Sequence, residues 1–147
     1  MLKNFFKKKE KEDTNNENVL IIALLIHAAK IDENYTEDEK KIIKKTIMEL
    51  NKTSSNQADK LLKLAEKKEE ESNQIVEFTK EIKKYPMEFK LKIIEIIWKI
   101  VYSDGTSDNY ESNLIRRICG LLYISDKDNG IIKTKVKNLK EKIWLTL

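Results

Sequence analysis

Two pairs of acidic residues recur at one spacing in this chain: Asp32 with Glu39, and Asp104 with Glu111, each Glu seven positions after its Asp. Carboxylates so placed suit two kinds of chemistry. They can accept backbone N–H groups where one helix ends and the next begins, or they can share a hard cation, Ca²⁺ or Mg²⁺, whose remaining positions are filled by water. An Asp at a helix C-terminus faces the negative end of the macrodipole, a penalty of about 0.3–1 kcal/mol that either arrangement offsets. Thr36 followed by Glu39 has the form of a capping box, and Asp108 followed by Glu111 repeats its spacing. Neither loop carries the alternating acidic ligands and the Glu at position twelve of an EF-hand.

Other chemistry lacks its residues. The chain has one His and one Cys, so neither a His-pair zinc site nor an internal disulfide can form, and a reducing compartment is expected. No Ser/His/Asp set, Cys/His pair or glycine-rich phosphate loop accompanies the acids, and the chain reads as a non-enzyme. His27 interrupts an otherwise apolar run from Val19 to Ala29, and is expected to be partly buried and bonded to a carbonyl or carboxylate.

The acids are positioned by a repeat. Residues 21–55 align with 93–127 at an offset of 72 without a gap, and 6 of the 35 pairs are identical. In each copy an apolar helix runs into the Asp and a second helix begins around the Glu. The whole chain has three glycines and one proline, which favours helices over a turn-rich sheet fold. Its 147 residues fit one domain. The expectation is an all-α fold, a compact bundle of about seven helices with an internal two-fold repeat.

In order, the helices are expected over 17–31, 37–51, from Thr53 to Glu71, from about Ile75 to Tyr85, Pro86 to Ser103, 109–122, and from Ser125 towards Trp144. Ala58, Leu61, Leu62, Leu64 and Ala65 are assigned to the inner side of the third. Ile131, Ile132, Val136, Leu139 and Ile143 form the apolar stripe of the last. The charge run Glu66 to Glu71 reads as a solvated face, and Gly120 as a position for a close helix crossing.

Residues 1–16 form a basic tail before the domain at 17–147. Leu2, Phe5 and Phe6 with Lys7, Lys8 and Lys9 suit a peripheral contact with anionic lipid, or a tail that folds back on the bundle. Lys and Arg number 29 against 25 Asp and Glu, a net charge of +4 that describes a solvated surface and argues little for nucleic acid; Arg116 and Arg117 are the one candidate phosphate contact. The apolar run at 19–29 is about half the ~20 residues of a membrane span.

Ala28-Ala-Lys-Ile-Asp32 through Glu39, Ile97-Trp-Lys-Ile-Val-Tyr-Ser-Asp-Gly105 through Glu111, Leu114-Ile-Arg-Arg-Ile118 and Leu121-Leu-Tyr-Ile-Ser-Asp126 together resemble the TerB-like (tellurite resistance protein B) family, over about residues 18–137. The resemblance implies a two-fold helical bundle and a cytoplasmic role in bacterial stress or tellurite response, beside membrane-associated protein partners. It also implies that Asp32, Glu39, Asp104 and Glu111 form an acidic set that binds a divalent metal. Glu33 departs from the pattern, which prefers Gly there, as at Gly105.

Overall fold

The computed structural model describes residues 18–31, 35–104 and 109–146. Helix α1 spans 18–29. It is followed by α2 (Glu37–Asn51), α3 (Ser55–Glu71), α4 (Val76–Ile82), α5 (Met87–Val101), a 3₁₀ turn (Tyr102–Asp104), α6 (Asn109–Leu121) and α7 (Asp126–Thr146). Among the described residues every regular element is helical, as expected for an all-α fold.

Local sequence explains most boundaries. Thr36, Ser54 and Ser125 each supply a hydroxyl oxygen to the free N–H three residues on, that of Glu39, Gln57 and Asp128, and so start α2, α3 and α7. Pro86 sits just outside α5 rather than within it, in extended conformation at φ −61 and ψ 156. The expected fifth helix tightens after Val101 into the 3₁₀ turn, where the Ser103 hydroxyl donates to the Ile100 carbonyl at 2.6 Å. Lys52 ends α2 with a left-handed residue at φ 50.

The core is built on α1 and α5. In α1 the run Ile21 to Ile26 is buried on every side, along with Ala28 and Ala29, so this helix is enclosed by the others. In α5, Ile93, Ile94, Ile97, Trp98 and Ile100 are almost completely buried. Around α5 pack α2, α6 and α7, while α3 leans on α2 and α4 on α6. Trp98 locks α5 to α7: its indole N–H donates to Asn129 Oδ1 at 2.9 Å, its ring stacks on Tyr102 at 5.7 Å, and the Lys133 ammonium lies 5.1 Å above it.

Three sequence expectations are corrected. Leu64 is 55% exposed, because Ala58, Leu62 and Ala65 form the buried stripe of α3 and Leu64 falls outside it. On α7, Val136 is buried and Ile132 partly so, but Ile131 and Leu139 are exposed; the stripe is narrower than the run of apolar residues implies, and the Ile143 side chain lies outside the described residues. Gly120 makes no helix crossing, since a Cβ there would meet nothing within 4 Å.

Candidate functional site

The start of α2 is a closed polar joint. The Thr36 N–H and its hydroxyl both donate to Glu39 Oε1 at 2.9 Å, and the Glu39 N–H returns a bond to Thr36 Oγ1 at 3.2 Å. This is the capping box expected from the residue types. It holds the Glu39 carboxylate inside the fold, at 5% exposure.

Tyr35, just before the cap, is half-buried against the core. Lys40 lies 4.8 Å and Lys30 5.9 Å from its ring centre. Its hydroxyl is buried with no hydrogen-bond partner among the described residues. Burial, and then the charges of Glu66, Glu39, Glu37 and Glu69, hold this phenol well above the usual tyrosine range. Sequence reasoning passed over Tyr35; a large aromatic directly before a capping threonine was the available signal.

The second joint follows α5. Asp104 ends the 3₁₀ turn, and Glu111 stands in the first turn of α6. Glu111 is also 5% exposed, matching its counterpart 72 positions earlier. Among the described residues Glu39 and Glu111 are the only buried acidic side chains. A buried carboxylate requires hydrogen bonds or a cation, because loss of hydration costs several kcal/mol.

Asp32 and the side chain of Asp104 lie outside the described residues, as do Leu2, Phe5, Phe6, Lys7, Lys8 and Lys9. Among the described residues no three His, Cys, Asp or Glu side chains already converge as a metal cage. Nor are α2 and α6 principal packing partners; each leans separately on α5. The two buried glutamates are thus presented at two joints, each with its own Asp in sequence.

A family model described as Tellurite resistance protein TerB matches residues 18–134, a span that takes in both joints, α1 to α6 and the first part of α7. The chain belongs to the TerB family. No curated protein and no solved structure matches it significantly. Within this TerB-family fold, His27 is bonded as expected, its Nδ1 lying 3.1 Å from Glu69 Oε1. Lys30 reaches the other oxygen of the same carboxylate at 2.9 Å. Glu69 is therefore no solvated residue of a charge run: with its side chain only 11% exposed, it ties α3 to α1. Buried Cys119 has its thiol pushed up to about 12, first by burial and then by the charge of Asp126, and stays protonated at neutral pH. Arg116 and Arg117 are exposed on α6. No helix among the described residues is long and apolar enough to cross a membrane.

Proposed function

We propose that this TerB-family chain is a non-enzymatic accessory domain of a cytoplasmic, tellurite-resistance-like stress response, which engages a protein partner through its helical surface and takes a divalent cation at its acidic joints. The observation that supports the reading is the burial of both Glu39 and Glu111, 72 positions apart. Their oxygens are the hard donors that Ca²⁺ or Mg²⁺ prefers. Asp32 and Asp104 would complete the donor sets. The cation would neutralise the buried acids and tie each loop to the helix after it.

The non-enzymatic part of the reading rests on side chains that are already committed. The one histidine is bonded to Glu69, and the one cysteine is buried with a protonated thiol.

Thermal melting in Ca²⁺ or Mg²⁺ tests the cation. At a hundredfold excess over the dissociation constant the expected stabilisation is about 2.7 kcal/mol, or about 5–10 °C in Tm for a chain of this size. Asp104→Asn reduces the shift. Identical melting with and without cation, in both proteins, removes the cation and leaves the carboxylates a capping role.

A further inference from the structure

Between α5 and α7 runs an open groove of about 430 Å³. Leu91, Ile131 and Ile132 supply its apolar surface, and Ile131 is 58% exposed there. Met87, also exposed, lies one turn before Leu91 on α5, and Leu139, 45% exposed, lies two turns after Ile132 on α7. Among the described residues, half of the six large exposed hydrophobic side chains thus gather along this one seam. A soluble domain seldom leaves such a strip without an occupant.

The walls are more acidic than basic. Glu88, Glu95 and Asp128 face Lys92 and Lys135, and Lys135 is paired with Glu95 at 3.1 Å. Glu88 and Asp128 stand in the first turns of α5 and α7. An occupant with an apolar face and a positive surround fits this wall.

The chain carries such a segment. Residues 1–9 hold four lysines and no acid, and Leu2, Phe5 and Phe6 fall at i, i+3 and i+4, one face of a helical turn. The eleven residues between Phe6 and residue 18, where α1 is first described, span up to roughly 40 Å when extended, while a domain of this size has a radius of gyration of roughly 14 Å. Every face is within reach, and a short tether gives an effective concentration in the millimolar range.

We propose that residues 1–9 dock in the α5/α7 groove, with Leu2, Phe5 and Phe6 against Leu91, Ile131 and Ile132 and the lysines towards Glu88 and Asp128. Docking by an amphipathic segment in a hydrophobic groove needs only these two matched surfaces. It is independent of the cation reading. Because the docked tail covers the groove, the same basic segment is withheld from any anionic surface until it is released.

The test uses the full chain with a benzoyl-phenylalanine photocrosslinker in place of Phe5. Irradiation is expected to join position 5 to α5 between Met87 and Glu95 or to α7 between Asp128 and Leu139, within one chain. Mixing ¹⁴N and ¹⁵N protein then yields no mixed adduct. Ile131→Glu, at an exposed position that leaves the core intact, lowers the yield about fivefold or more. Leu64→Glu, equally exposed on α3, leaves it unchanged. Mixed-isotope adducts, which signal a second copy, overturn the proposal. So do crosslinks to other faces, a yield indifferent to Ile131→Glu, no protein crosslink at all, or crosslinking only to lipid when phosphatidylglycerol vesicles are added.

Discussion

Replacing Thr36 with Ala removes one hydroxyl that serves two bonds, its own O–H to Glu39 Oε1 at 2.9 Å and the Glu39 N–H to its oxygen at 3.2 Å. Loss of an N-cap side chain costs about 0.5–2 kcal/mol. Here the upper end applies, because the carboxylate that loses one of its donors is 5% exposed and cannot replace that bond with water without opening the joint. The expected loss is about 2 kcal/mol, or about 4–8 °C in Tm. Thr36→Ser keeps the oxygen and stays within about 0.5 kcal/mol of wild type. Urea denaturation followed by far-UV circular dichroism, in chelator to exclude cations, measures both. A Thr36→Ala protein as stable as Thr36→Ser would show that the cap does not hold Glu39, and the account of the first joint would fail.

Asn129→Ala leaves the buried Trp98 N–H without its acceptor and is expected to cost about 1–3 kcal/mol, read from tryptophan fluorescence during urea unfolding. Gly130→Ala is expected to stabilise the chain by about 0.5–1 kcal/mol, since Gly130 is helical and a Cβ there meets nothing within 4 Å; a lower Tm refutes it. Cys119 titrates from its ordinary 9.0 up to about 12 in the fold, so the contribution of its neutral thiol is complete below pH 9 and declines as pH rises towards 12. The stability gap between wild type and Cys119→Ala is therefore flat below pH 9 and narrows above it, as pH-dependent urea denaturation will show.

Much of the fold was legible because the signals were local. Thr36 with Glu39, Ser54 and Ser125 mark helix starts through their own side chains, and α2 falls at 37–51 as its cap and spacing require. The continuous apolar run of α1 declared a helix enclosed by others. What spacing could not supply was the choice of face where apolar residues are more numerous than the core needs. Leu64, Ile131 and Leu139 all satisfy helical spacing, yet the core takes Ala65 and Val136 as their neighbours and leaves them outside. Glu69 was obscure for the opposite reason: within a run of charges, only the approach of α1, 39 to 42 residues away in sequence, selects it. For the site, the shared spacing of Glu39 and Glu111 anticipated that both belong to helix first turns. Their common burial is a property of the folded state.

Calorimetric titration of the full chain with Ca²⁺ and Mg²⁺, alongside Glu39→Gln and Glu111→Gln, tests the central claim most directly. The account predicts saturable binding that weakens about tenfold or more when either buried carboxylate becomes an amide, while Glu49→Gln, on the outer face of α2, leaves it unchanged. Titrations that coincide for all four proteins, or that show no binding in the wild type, would contradict it.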